Sequence, residues 1–188
     1  MAEYAALVRK SGQQGCDFIK IMISGLMDFD RFSVLTEEGL PKEEIRELIH
    51  IAHEEGFAVM AHCNGARTAE AAATFGVDSI EHGAYLDRDA LWTMAEQKTV
   101  WVPTLSTIGN LRGKGRFNED AVARILDSAL ENCALFASLG GLIAPGTDAG
   151  AWGVPHGCQT EEDYLQMALG NDTDTILEKG IEAIKARF

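Results

Sequence analysis

Short apolar runs alternate with helical segments along the whole chain, and this alternation constrains the fold more than any other feature. Strands that alternate with helices pair in parallel through right-handed crossovers. The sequence therefore predicts an α/β fold of five βα units in a single domain, 1–188. Strands are predicted over 17–24, 57–62, 78–82, 99–105 and 142–148, the first of them buried on both faces, and helices over 4–10, 41–55, 66–75, 87–97, 119–139, 160–168 and 173–186.

Length and composition exclude several classes of protein. A complete (β/α)8 barrel takes about 250 residues and rarely fewer than about 200, and this chain has 188. A net charge of −13 argues against binding to nucleic acid or to an anionic membrane. No apolar run approaches the roughly 18 residues of a membrane span. Four scattered cysteines without a CxxC pair predict reduced thiols and a cytoplasmic location.

Chemically active side chains stand at the carboxyl ends of the predicted strands. Lys20 lies inside the first strand, His62 and His82 end the second and third, and Asp148 ends the fifth. Parallel α/β folds place their sites at this edge of the sheet, so these four side chains are expected to share one pocket.

Each of these residues also has an ordinary structural explanation. Lys20 could pair with a carboxylate, each histidine could be hydrogen-bonded in the core, and Asp148 could bond its own backbone in a Gly-Thr-Asp-Ala-Gly turn. Together, however, two imidazoles, a buried amine and a carboxylate suit a divalent metal. The ligand types favour zinc, with iron or manganese as alternatives.

Four motifs give the chain a resemblance to a known family. They are Asp-Phe-Ile-Lys-Ile (17–21), Val-Met-Ala-His-Cys (59–63), Ser-Ile-Glu-His-Gly (79–83) and Gly-Thr-Asp-Ala-Gly (146–150). In order and spacing they resemble the amidohydrolase superfamily, in particular its imidazolonepropionase-like and prolidase-like branch. The resemblance implies a TIM-barrel-type fold that is incomplete, with the five predicted strands corresponding to strands four to eight of the barrel.

The resemblance also implies a chemistry. Lys20 would be an N-carboxylated lysine that bridges metals, His62 and His82 would be metal ligands, and Asp148 would be a ligand and the general acid/base. One or two divalent metals per site would activate a water molecule. The implied activity is hydrolysis of an amide-like C–N bond in a small molecule, such as an Xaa-Pro dipeptide, an N-acyl amino acid or a cyclic amide.

One family motif has no counterpart. The family carries a His-x-His pair on strand one, whereas no two of the five histidines here lie two residues apart. The alternative prediction is therefore a non-catalytic half-barrel that binds one metal or none and needs a partner or a second copy. A truncation or an excerpt of a longer chain is favoured over a functional assembly. An assembly would be a homo-oligomer or an association with the missing N-terminal half.

Several weaker signals complete the prediction. Tyr85 and His156 follow the third and fifth strands closely and are candidate substrate contacts, although His156 could equally lie in a surface turn. The two longest loops, 25–40 and 106–118, are candidate functional loops. The glycine-rich segment 113–116 is predicted to be a mobile loop near the substrate. The histidines at 50 and 53 are assigned to a half-exposed helix face.

Overall fold

The computed structural model describes all 188 residues and has one parallel five-stranded sheet, with the strands in chain order. The predicted α/β fold is confirmed, and the sheet does not close into a barrel. The strands are β1 (Phe18–Met22), β2 (Ala58–Cys63), β3 (Ser79–His82), β4 (Val100–Val102) and β5 (Leu142–Ile143). The helices are α1 (Ala2–Gln13), α2 (Lys42–Glu54), α3 (Ala66–Thr74), α4 (Arg88–Glu96), α5 (Ser106–Gly109), α6 (Glu119–Ser138), α7 (Thr160–Leu169) and α8 (Thr173–Arg187).

Local signals explain where the main helices begin. The side chain of Asp87 accepts a hydrogen bond from the backbone N–H of Ala90, at 2.9 Å, and so caps α4. Asn118 caps the long helix α6 in the same way through the N–H of Ala121. The short helix α5 was not predicted, because four residues are too few to show a helical period.

One face of the sheet packs against the helices and forms the main core. Alternate residues of each strand point to this outer face, including Ile19, Val59, Ile80, Trp101 and Ile143. The ring of Trp101 meets that of Phe136 of α6 edge-on, with centroids 5.6 Å apart. The outer face therefore supplies the hydrophobic burial that holds the βα units together.

The opposite, inner face of the sheet is partly open. The structure contradicts the prediction that β1 is buried on both faces, because Phe18, Lys20 and Met22 are exposed while Ile19 and Ile21 are buried. A strand made of an apolar run is buried on both faces only when other elements cover both faces of the sheet. Here β1 is an edge strand with nothing packed over its inner side at Met22.

Helix α8 covers the other edge of the sheet. The N–H of Ala144 donates to the carbonyl of Trp101, so the carbonyl of Ile143 points away from β4 and towards α8. Gly180 of α8 lies directly against that carbonyl, in space that a Cβ atom would fill. Of the two sheet edges, only that of β1 is left without a covering element along its backbone.

The end of α8 continues across the base of the sheet. Ala183 and Ile184 pack against the inner-face residues of β4 and β5, and the guanidinium of Arg187 donates to the carbonyls of Asp78 and Lys98. Phe188 meets Phe18 of β1 edge-on, at 5.4 Å between ring centroids. This packing closes the lower part of the inner face and leaves the upper part, at the carboxyl ends of the strands, accessible. None of the helices combines the length and the apolar composition that a membrane span requires.

Candidate active site

A cavity of about 410 Å³ lies at the carboxyl ends of the strands. Its lining includes Lys20, His62, His82 and Asp148, which come from β1, β2, β3 and the loop after β5. The imidazole rings of His62 and His82 are 4.6 Å apart between centroids. The structure thus brings the four strand-end side chains to one pocket, of a size suited to a small molecule.

Both histidines of the cavity are held neutral. Burial lowers the pKa of His82 to about 3, with further contributions from the neighbouring His62 and Lys20. Burial also lowers the pKa of His62, and Lys20 adds to the effect while the carbonyl of Gly25 opposes it. A neutral imidazole keeps one nitrogen lone pair, which is the form that binds metal ions.

Hydrogen bonds orient both rings. Nε2 of His62 lies 3.2 Å from the carbonyl oxygen of Gly25 and 3.3 Å from the amide nitrogen of Asn64. Nδ1 of His82 lies 2.7 Å from Oγ1 of Thr104. Each ring is therefore held through one nitrogen and has its other nitrogen free.

The backbone around these groups is unusual. His82, Thr104 and Asp148 all have positive φ angles, of 71°, 49° and 54°. L-residues with side chains rarely adopt this region, and such residues concentrate at functional sites. The predicted strands 99–105 and 142–148 are shorter in the structure, where they end at Val102 and Ile143, before Thr104 and Asp148.

Asn64 is a site residue that sequence reasoning missed. It is fully buried, its amide nitrogen donates to the carbonyl of Gly25 at 3.1 Å, and its Oδ1 accepts from the N–H of Ala84 at 2.9 Å. It therefore ties the loops after β1 and β3 together beside His62. The only available signal was its place directly after the strand that ends in His62 and Cys63.

Glu81 is a second group that was not predicted. Its side chain is buried on the inner face, where Oγ of Ser79 donates to it at 2.7 Å. Burial raises the pKa of this carboxyl, while Ser79 and Lys20 oppose the rise. The alternation of residues along β3 places Glu81 on the same face of the sheet as Ser79. Only His82, at the end of this strand, was predicted from the sequence.

The remaining candidates lie outside the cavity lining. The hydroxyl of Tyr85 is buried beneath Phe32, whose ring meets that of Tyr85 edge-on at 5.6 Å. His156 is exposed on the loop that follows Asp148. His53 of α2 pairs with Asp78 at 3.0 Å, as expected of a structural helix residue, and Cys63 faces the outer core.

The side chains of this chain do not include a compact cluster of metal ligands. No three His, Cys, Asp or Glu side chains lie close enough together to hold a metal ion. The two histidines and Asp148 therefore do not make a complete site without Lys20 or a ligand from elsewhere.

Comparison with known proteins relates this geometry to a family. The fold matches a crystal structure of an Xaa-Pro dipeptidase with bound methionine, at a TM-score of 0.78 and 28% identity, over 98% of this chain and 47% of that one. A crystal structure of an amidohydrolase matches at a TM-score of 0.69 and 26% identity, over 89% of this chain and 41% of the other. The fold of this chain matches the amidohydrolase fold.

The matched part is a C-terminal portion of the barrel, as predicted, and the chain spans about half the length of those structures. A metal-dependent hydrolase from Pyrococcus furiosus has the same fold at a TM-score of 0.67 and 15% identity, over 97% of this chain and 45% of that one. Uncharacterized proteins of Mycobacterium bovis and Mycobacterium tuberculosis are 32% identical over 136 residues, which is 67% of this chain and 35% of theirs. No protein-family model matches.

Proposed function

We propose that this chain carries metal-binding and proton-transferring residues of a hydrolase that cleaves amide-like C–N bonds in small molecules. The observation that carries the proposal is the convergence of Lys20, His62, His82 and Asp148 on one cavity, with both imidazoles neutral and oriented. The dipeptidase and the amidohydrolase whose structures the chain resembles are both hydrolases, which supports a hydrolase function in general terms.

The donor types fit a divalent metal, which we take to be zinc, with iron or manganese as alternatives. Nδ1 of His62 and Nε2 of His82 are the free nitrogens that would hold it. For His82 this requires that Nδ1–H donates to Thr104. When bound, the metal lowers the pKa of a coordinated water and polarises the scissile carbonyl.

Lys20 supplies the missing ligand in this proposal. Its amine lies close enough to lower the pKa values of both histidines, and as a cation it would oppose metal binding. The deprotonated amine adds to carbon dioxide through a new N–C bond and releases a proton to solvent. The product is a carbamate anion with two oxygen donors, so the charge of the side chain changes from positive to negative. The same group could bridge a second metal whose other ligands come from outside this chain.

Asp148 is the proposed general acid/base. Its side chain reaches the cavity from the loop after β5 and is exposed to it. A carboxylate in this place takes a proton from the attacking water and delivers it to the departing nitrogen. The candidate substrates are Xaa-Pro dipeptides, N-acyl amino acids and cyclic amides. The first of these follows the name of the similar dipeptidase.

A second candidate function is a non-catalytic half-barrel that binds one metal or none. The observation in its favour is that no three His, Cys, Asp or Glu side chains cluster tightly enough for a metal. In this case the uncovered β1 edge would pair with a second copy of the chain or with an N-terminal half. The four free cysteines fit the reducing cytoplasm in either case.

Metal content and hydrolysis together test the proposal. We expect about one zinc, iron or manganese per chain by elemental mass spectrometry after purification without chelator, and loss of this metal in a His62→Ala, His82→Ala double variant. We expect the metal-loaded chain to hydrolyse a member of a panel of dipeptides, N-acyl amino acids and cyclic amides. The Asp148→Asn variant should keep the metal and lose turnover. Absence of bound metal would favour the non-catalytic half-barrel.

A further inference from the structure

We infer that Arg116 is a specificity-determining residue that binds a carboxylate group of the substrate, beside aromatic side chains that take an apolar group. This inference rests on the proposed function and narrows its substrate class. Arg116 lines the same cavity as the four strand-end residues, but lies at its mouth, on the loop after β4. Arg116 ends the glycine-rich segment 113–116, which is predicted from the sequence to lie near the substrate.

Aromatic side chains from three loops form one wall of this mouth. The rings of Phe29 and Phe117 are 5.3 Å apart between centroids, and those of Phe117 and Trp152 are 6.3 Å apart. These residues come from the loops after β1, β4 and β5. The backbone N–H of Asn118 also donates to the carboxylate of Asp30, at 2.8 Å, and so links the first two loops. The wall is therefore an assembled surface and not a set of isolated side chains.

The guanidinium of Arg116 is stacked on this wall. Its central carbon lies 4.5 Å from the ring centroid of Trp152 and 5.2 Å from that of Phe117. Stacking engages the flat face of a guanidinium and leaves the N–H groups at its edge free, in the fork geometry that matches a carboxylate. The guanidinium therefore lies over the aromatic wall while Arg116 stays exposed at the mouth of the cavity.

Arg116 has no anionic partner within the chain. The protein carries a net charge of −13, yet its salt bridges join Arg9 to Glu55, Arg31 to Asp28 and His53 to Asp78 only. None of its side-chain hydrogen bonds involves the Arg116 guanidinium. A stacked cation without a partner, in an acidic protein and at the mouth of a cavity, is a suitable receptor for an anionic substrate group.

The other charges in the cavity make this role distinct. Apart from Arg116, the charged side chains that line the cavity are those of Lys20 and Asp148, and Asp148 repels anions. Once Lys20 is carboxylated, Arg116 is the remaining cation among the residues that line the cavity. The substrate class that fits is an N-acyl amino acid or dipeptide with a free carboxylate and an apolar side chain. A cyclic amide without negative charge has no carboxylate for Arg116 to bind.

A binding experiment with non-hydrolysable probes tests this inference without relying on turnover. The probes are 3-phenylpropanoate and 3-phenylpropan-1-ol, which share a phenyl group and differ in charge, titrated into the full chain by ligand-observed NMR. We expect the carboxylate to bind at least about tenfold more tightly than the alcohol, equivalent to about 1.4 kcal/mol. Arg116→Gln should abolish this preference, and Arg116→Lys should restore it in part. Lys114→Gln, which removes a charge from the same loop outside the cavity lining, should leave it unchanged.

Equal binding of the two probes, no detectable binding of the carboxylate, or an unchanged preference in Arg116→Gln would each overturn the inference. The outcome is separable from the proposed function. A chain that binds the carboxylate through Arg116 but hydrolyses no amide would retain this inference and refute the reaction. A chain that hydrolyses charged and uncharged amides equally would support the proposed reaction and refute the role of Arg116.

Discussion

Nδ1 of His82, the last residue of β3, lies 2.7 Å from Oγ1 of Thr104, two residues beyond β4, and both residues have positive φ angles. The two strained residues therefore hold each other across the carboxyl ends of β3 and β4. The carbonyl of His82 is held as well, because the indole N–H of Trp101 donates to it at 2.9 Å. This side of the cavity is fixed before a metal or substrate binds.

The first prediction concerns this hydrogen bond. Thr104→Val removes the hydroxyl and keeps the β-branched shape, so the His82 ring loses the contact that orients it. We expect zinc affinity to fall about tenfold or more, the usual cost of removing such a contact from a histidine ligand. Competition with a chromophoric chelator measures the affinity. Thr104→Ser keeps the hydroxyl and should bind zinc like the wild type, and equal affinities for all three proteins would contradict the role of Thr104.

A second prediction concerns Lys20 as a carbamate. Because the carbamate forms reversibly from carbon dioxide, zinc affinity of the wild-type chain should rise with added bicarbonate, and carbon-13 NMR with labelled bicarbonate should show a carbamate carbon. Lys20→Ala should lose both responses. Lys42→Ala, which removes an amine at α2 away from the cavity, should keep them. Zinc affinity that is independent of bicarbonate would count against the carbamate.

A third prediction concerns pH and Glu161, whose side chain is completely buried at the start of α7. Its carboxylate accepts hydrogen bonds from the N–H groups of Leu105 and Ser106, at 3.0 and 2.7 Å, and so anchors the loop that carries Thr104. Burial nevertheless raises the pKa of Glu161 to about 7 from its ordinary 4.5, although those hydrogen bonds oppose the rise.

A raised carboxyl pKa means that the folded state holds its proton to a higher pH than the unfolded state does. The stabilisation is complete below pH 4.5 and is lost as the pH rises through about 7. The contribution to the free energy of unfolding is on the order of 3 kcal/mol. Urea denaturation across this range should show the decline in the wild type and a weaker one in Glu161→Gln. If the free energy of unfolding changed with pH in the same way in both proteins, this contribution of Glu161 would be disproved.

A fourth prediction concerns the buried hydroxyl of Tyr85. The hydroxyl has no hydrogen-bond partner in the structure. Tyr85→Phe should therefore leave the free energy of unfolding unchanged or raise it by about 1 kcal/mol. Tyr85→Ala should lower it, since the ring packs against Phe32. Clear destabilisation of Tyr85→Phe would show that the hydroxyl is satisfied in solution.

A fifth prediction concerns the contact between α8 and the β5 edge. A Cβ atom at Gly180 would meet the backbone carbonyl of Ile143, which cannot move aside as a flexible side chain would. Gly180→Ala should lower the free energy of unfolding by about 1–3 kcal/mol, even though alanine favours a helix. Lys179→Ala, at the exposed neighbouring position, is the control. Equal stability of the two variants would mean that α8 does not pack on this edge.

The regular elements and the strand-end residues could be predicted because their signals are local. The apolar run before His62, the cap at Asp87 and the glycine that follows Glu55 each define an element within a few residues. The same local patterns wrongly predicted that β1 is buried on both faces. Burial of the inner face needs a packed layer, and no layer covers Met22. They also missed α5, which is too short to show a period.

By itself, the sequence determined the alternation of strands and helices, the parallel sheet, and the identity of Lys20, His62, His82 and Asp148 at the strand ends. Tertiary structure alone decided which groups support them. Glu161 reaches Ser106 across 55 residues, and Arg187 reaches the carbonyl of Asp78 across 109. The stacking of Arg116 on Trp152 likewise joins two loops. Such contacts depend on how distant segments pack, and no pattern confined to neighbouring residues specifies them.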